Sequence, residues 1–154
     1  MALTNYDYKI GIVYESVTGN TRDLAESLQY AFYQYGISPL FCKTSQFPLK
    51  KLKDFDAIVI VTYTWGSGEI PSPMQTVYEA IELQDLKHVI TGIAGTGDSF
   101  YPHFCGAVDA FRDMLFVKTT LAATLKVELA PQDTDLPRCR LFIESMLKRL
   151  GQKI

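Results

Sequence analysis

The run Ala57-Ile58-Val59-Ile60-Val61-Thr62 constrains this chain more than any other stretch. It is β-branched and unbroken, bounded by Asp56 and by a Gly/Pro-rich loop, and it predicts a strand. A second strand is expected over 9–14, where Ile10-Gly11-Ile12-Val13-Tyr14 lacks clean polar alternation, as in a strand buried on both faces. Leu24, Leu28, Ala31 and Tyr35 then recur at helical spacing, and Gly36 stands where a glycine would close the helix. That helix is expected to open at Thr18 or Thr21. Further strands are expected over about 39–43, 88–94 and 121–129. Helices are expected over about 74–83, 104–115 and 136–150, the second with Phe104, Val108, Phe111 and Leu115 on one face. Five strands interspersed with four helices, and a loop rich in Lys50, Lys51 and Lys53 between the second and third strands, argue an α/β fold, a parallel sheet covered on both faces. Ligands in such folds bind at the carboxyl ends of strands, where the strand order reverses.

The 154 residues are enough for one domain over 1–154 with a full core. Apolar residues at 47% and charged residues at 21% are ordinary for a soluble globular protein. The first eight residues lack a basic flank and an apolar core, so no signal peptide is expected. No apolar run approaches the ~20 residues of a membrane span. Cys42, Cys105 and Cys139 are odd in number and lack CxxC spacing; they read as reduced, packed thiols of a cytoplasmic chain, not as a disulfide frame or zinc site. The net charge of −2 divides unevenly: +2 over 1–53, −7 over 54–115 and +3 over 116–154. The acidic middle third excludes a basic nucleic-acid surface there and suggests a docking face for a basic partner.

Three unusual loops follow strands. The first, Ser16-Val17-Thr18-Gly19-Asn20-Thr21, joins a strand to a helix. A helix start offers unpaired N–H groups and a positive dipole end. Three hydroxyls and an amide add donors, and no Lys or Arg is present, so the seat suits a phosphate held by neutral dipoles. Without a Lys after Gly19 it is not a nucleotide-triphosphate loop, and the dinucleotide Gly pattern is absent too. An ordinary polar turn capped by Thr18 or Thr21 is the plain alternative. The second loop is Tyr63-Thr64-Trp65-Gly66-Ser67-Gly68-Glu69-Ile70-Pro71-Ser72-Pro73 and the third is Gly95-Thr96-Gly97-Asp98-Ser99-Phe100-Tyr101-Pro102-His103.

At these three loops the chain resembles the short-chain flavodoxins. Ser16 to Thr21 looks like the family's FMN phosphate loop, and Thr64-Trp65-Gly66 like the loop whose aromatic covers one flavin face. Gly97-Asp98-Ser99-Phe100-Tyr101-Pro102-His103-Phe104-Cys105-Gly106-Ala107-Val108-Asp109 looks like the second flavin loop entering its helix. The resemblance spans nearly the whole chain, and 121–131 leaves no room for the long-chain insertion. It implies a three-layer α-β-α fold with sheet order 2-1-3-4-5. Flavodoxins, with FMN at the switch point, are themselves the standard example of the crevice rule.

The resemblance also implies roles. Trp65 and Tyr101 would wall the flavin ring, with stacking worth about 0.5–1.5 kcal/mol per pair beyond buried area. The Gly66 carbonyl would turn to accept flavin N5–H, a reorientation that glycine makes cheap. Ser67 and Gly68 replace a more acidic sequence in many relatives. Tyr63 stands where a small hydroxyl residue often lies near the phosphate. The backbones of Thr96, Asp98 and Cys105 would meet the polar ring edge, and His103 would lie near phosphate or ring, with Phe104 beside it. Nearby negative charge makes the cofactor more reducing: one like charge at ~10 Å with an effective dielectric of ~20 costs roughly 1.7 kcal/mol, on the order of 70 mV for one electron.

The implied function is a non-enzymatic, low-potential one-electron carrier cycling between semiquinone and hydroquinone. Its donor would be a flavodoxin/ferredoxin-NADP reductase-type enzyme. Acceptors such as P450s or radical-enzyme activation systems would dock transiently on the acidic face of a monomer. Two other readings share the fold. An FMN reductase or ribonucleotide reductase activator would need access to an open flavin face. A cofactor-free signalling module of the receiver kind would need an acidic cluster and a Lys at strand ends, which Glu15 and the Lys-free strand ends do not supply.

Overall fold

The computed structural model describes residues 8–152. In chain order its elements are β1 (Ile10–Tyr14), α1 (Asn20–Tyr33), β2 (Leu40–Lys43), β3 (Ala57–Thr62), α2 (Ser72–Glu82), β4 (Ile90–Gly97), α3 (Gly106–Lys118), β5 (Thr120–Glu128) and α4 (Leu136–Gln152). The strands form one parallel sheet in the order β2-β1-β3-β4-β5. That is the expected order. β3 has the expected bounds because its β-branched residues are buried throughout.

Alternation along the central strands sends side chains to two cores. Ile10, Ile12, Tyr14, Val59 and Val61 join Leu24, Leu28 and Phe32 of α1 and Phe142, Ile143 and Met146 of α4. Val13, Ile58, Ile60 and Ile93 join Met74, Val77 and Ile81 of α2 and Val108, Phe111 and Leu115 of α3. The layers are therefore α1/α4, sheet, and α2/α3.

Between β2 and β3, where a loop rich in Lys50, Lys51 and Lys53 is expected, the chain makes 3₁₀ turns at Thr44–Gln46 and Leu49–Asp54. Phe47, Leu52 and Phe55 from this connection pack into the α2/α3 core, so three bulky side chains cover sheet that a helix would otherwise cover.

Two helix ends fit local chemistry. α1 closes through Gly36 N–H to the Tyr33 carbonyl at 2.9 Å and Ile37 N–H to the Phe32 carbonyl at 3.1 Å, with Gly36 at φ 76°. This double closure is the glycine-dependent helix stop. α2 begins at Ser72, two residues before the expected start, because Pro73 fits the first helical turn.

β4 runs to Gly97, beyond the expected Ala94, because Gly95, Thr96 and Gly97 pair with Lys126, Val127 and Glu128 of β5. β5 is one uninterrupted strand, as the short-chain resemblance implies. Parallel pairing puts the loops after β1, β3 and β4 at the same end of the sheet.

Candidate functional site

The loop after β1 is shaped by its own backbone. Gly19 adopts φ 100° and donates its N–H to Ser16 Oγ at 3.0 Å. Gly19, not Thr18 or Thr21, occupies the cap position of α1, and no side chain caps this helix. The expected alternative of a Thr cap is therefore corrected. Thr21 is turned inward, where its hydroxyl lies 2.8 Å from that of Thr96 on β4. With no capping side chain, the first-turn amides of α1 remain available to an anion, and Ser16 Oγ, accepting from Gly19, keeps its own proton to donate.

The loop after β3 folds back on itself. Trp65 N–H donates to the Glu69 carbonyl at 2.8 Å, and the Trp65 carbonyl accepts from Gly68 at 3.2 Å and Glu69 at 2.8 Å. This tip requires φ 53° at Gly66 and φ 106° at Gly68, conformations that favour glycine. No hydrogen bond among the described residues ends on the Gly66 carbonyl. The tip rests on α3 by main chain: a Cβ built on Gly106 would lie 2.7 Å from both Cα and O of Gly68. Thr64 Oγ1 completes the joint by accepting from Ala107 N–H at 3.2 Å, which satisfies one open amide of α3.

The loop after β4 is held at several points. Asp98 accepts from Phe100 N–H with its carboxylate at 2.9 Å and from Tyr101 N–H with its carbonyl at 3.1 Å. Ser99 donates its hydroxyl to Glu128. Cys105 leads into α3 at φ 53° with its thiol buried, 3.8 Å from the Gly95 carbonyl. Burial pushes that thiol up to about 11, which suits packing rather than nucleophilic chemistry.

These loops enclose two adjoining clefts. One, of about 270 Å³, is lined by Val17, Thr18, Asn20, Thr21, Tyr63, Thr64, Trp65, Thr96, Gly97 and Leu129. The other, of about 280 Å³, is lined by Thr64, Gly66, Gly97, Asp98, Tyr101, His103 and Cys105. Thr64 and Gly97 belong to both, so the clefts form one trough from the start of α1 to the loop after β4. Trp65 is 61% exposed and Tyr101 59% exposed, and each lines one of the two clefts.

Most expected residues meet there. Ser67 and Phe104 instead line a depression behind the tip, with His103 shared between that depression and the trough. Phe104 is also packed against the α2/α3 core. Leu129, absent from the sequence-based expectation, enters the trough from the end of β5. It sits at φ 57° and donates its N–H to the Gly97 carbonyl at 2.7 Å. Its only sequence signal is its place just after a strand.

Tyr63 lines the trough beside Glu15. Burial, then the Glu15 charge, pushes its phenol pKa up, so it stays a neutral donor. The Glu15 carboxylate is itself engaged by Thr44, through the backbone N–H at 3.3 Å and the hydroxyl.

The flavodoxin family profile matches residues 12–142. The chain belongs to the flavodoxin family. It is 34% identical over 139 residues to probable flavodoxin 1 of Bacillus subtilis, covering 88% of each chain. Among solved structures, the flavodoxin of Streptococcus pneumoniae TIGR4 superposes with a TM-score of 0.84 at 31% identity, over 91% of this chain and 98% of that one. Oxidised flavodoxin 1 of Bacillus cereus gives 0.82 at 28% identity, over 91% and 97%.

Flavodoxins bind FMN, and the trough of this flavodoxin fits that group in parts. The uncapped α1 start is a dipole seat for a terminal phosphate. Thr18, Thr21 and Thr96 belong to the cleft beyond it, the last two with their hydroxyls paired to each other. Trp65 lines the cleft beside the start of α1, and Tyr101 lines the adjoining cleft with Gly66, Gly97 and Asp98.

Proposed function

We propose that this single-domain flavodoxin is a low-potential one-electron carrier that holds FMN without a covalent link. The observation that carries the reading is the joining of an uncapped helix start to a trough flanked by Trp65 and Tyr101. Bound there, FMN would supply one-electron redox chemistry. The residues proposed to hold FMN are Ser16 to Thr21 at the phosphate, Tyr63, Thr64 and Thr96 along the chain, and Trp65, Gly66, Gly97, Asp98, Tyr101, His103 and Cys105 around the ring, while Ser67 and Phe104, expected there too, line the depression behind the tip.

The chain's own groups then set the chemistry. Trp65 and Tyr101 exclude water from the ring faces and thereby disfavour added charge. The Gly66 carbonyl, unengaged by the described residues, is the acceptor available to hold a proton at ring N5. Carboxylates of Glu69, Asp98 and Glu128 near the rim oppose negative charge in the trough. Electrons would arrive from a pyridine-nucleotide-dependent flavodoxin reductase and leave to acceptor enzymes. The acidic middle third supplies transient, salt-sensitive docking to both. A cytoplasmic, monomeric carrier fits its three free thiols and a set of described helices among which none is long and apolar enough to cross a membrane.

The test is the visible spectrum of the purified protein during anaerobic photoreduction. The expected result is a yellow protein that passes through a blue species before bleaching. Direct bleaching points to a two-electron reductase. A colourless protein that takes up no FMN overturns the cofactor and the site together.

A further inference from the structure

Phe100 is the most exposed aromatic of the described residues, at 88%. It does not line the trough. Burying an apolar side chain of this size stabilises a fold, and here that gain is left unrealised. The residue is also held in place. Its N–H is fixed to the Asp98 carboxylate at 2.9 Å, and its ring meets the Tyr101 ring edge-on at 6.0 Å and 87°. The next residue back, Ser99, is tied to Glu128 on β5. An exposed ring on a backbone pinned in this way loses less conformational freedom when it is covered than one on an untethered loop, which suits an interface anchor.

The charge around it has one sign. Asp98 and Glu128 flank Phe100 through the bonds just given, and exposed Glu69 stands on the facing tip. Lys126, the cation nearby on β5, is consumed by Asp109 at 2.8 Å. The loop therefore presents an aromatic knob in an acidic collar, at the lip of the trough.

We infer that Phe100 is the apolar anchor of the electron-transfer interface, and that the partner it fits is a redox protein with a shallow apolar recess ringed by Lys or Arg. The inference rests on the carrier reading. Tyr101, its ring neighbour, lines the trough, so a partner seated on Phe100 lies against the rim of the cofactor site. The collar steers the encounter through charge, and the knob sets how long the complex lasts.

The experiment uses FMN-loaded protein, fully reduced by anaerobic photoreduction with EDTA as electron donor, and a basic cytochrome c as probe. Each ferric haem reduced to ferrous takes one electron from the reduced FMN. Wild type is compared with F100A and F100L over a range of ionic strength, and FMN affinity is titrated for each. The expected result is a fivefold or greater fall in the second-order rate for F100A at every salt concentration, recovery of most of it by F100L, and unchanged FMN affinity. The salt slope stays that of wild type in F100A and flattens in E128Q. Wild-type rates for F100A overturn the anchor. So does weaker FMN binding in F100A, which places the ring in the cofactor site. Wild-type protein that takes up no FMN overturns the carrier reading first, and the anchor with it.

Discussion

The hydroxyls of Thr21 and Thr96 lie 2.8 Å apart, both buried, and tie the first turn of α1 to the end of β4 beneath the trough. Each is the other's partner, so T21V or T96V alone leaves a buried hydroxyl unpaired at a cost of about 1–3 kcal/mol. The double variant, with two apolar groups of matching shape, should recover much of that loss. Urea unfolding of the four proteins reads the coupling directly.

Gly95 is closed to any side chain by space. A Cβ there would lie 2.4 Å from Val108 Cγ2 and 2.7 Å from the Thr62 carbonyl. G95A should cost on the order of 3 kcal/mol through overpacking between β4 and α3. G19A meets nothing within 4 Å but must hold φ 100°, so it should cost only about 1–2 kcal/mol while weakening FMN binding. Melting curves and FMN titrations separate the two cases.

W65A and Y101A should each weaken FMN binding roughly tenfold or more, since each removes one flat wall. Flavin fluorescence quenching gives both dissociation constants. Equal affinity in either variant would remove that residue from the site.

The phosphate loop carries no Lys or Arg, and Arg22 behind it is paired with Glu26 at 3.3 Å. A dipole seat screens less than a surface ion pair. FMN affinity should therefore shift less than roughly threefold between low and moderate salt, while riboflavin, lacking the phosphate, should bind at least about tenfold more weakly. Calorimetry with both ligands at two salt concentrations checks this.

The thiols make a pH prediction. Burial raises Cys105 and Cys139 from 9.0 to about 11. Between those values the unfolded chain has released protons that the folded chain still holds, so stability is complete below pH 9 and falls as pH rises toward 11. Raised phenols at Tyr35, Tyr63 and Tyr78 act in the same sense. Urea midpoints at pH 8 and pH 10 should fall accordingly, and less steeply in C139A. At pH 8, half-buried Cys42 should be the first thiol to react with a disulfide reagent.

The strand order and the convergence of three loops were legible because buried strands and their helices are written in local patterns. β3 is the clearest case. What escaped depended on partners distant in sequence. Gly95, Thr96 and Gly97 read locally as loop, yet β5 draws them into the ladder. The crossing before β3 reads as a Lys-rich loop, and what escaped is that its Phe47, Leu52 and Phe55 pack into the α2/α3 core. Residue types singled out the loop after β1 and both aromatics, which the structure places along the trough. They did not give Leu129, whose position follows from a bond to Gly97, nor the turning of Ser67 and Phe104 to the far side of the tip.

The main-chain seat of Gly68 on Gly106 divides the tip's freedom to diverge. Position 106 is closed by the Gly68 main chain, and position 68 by its φ of 106° and by His103, whose Cβ would lie 2.7 Å from an added carbon. Ser67 and Glu69 are exposed. A lineage, or an engineer, can rewrite those two side chains to retune charge beside the cofactor while the platform beneath stays fixed.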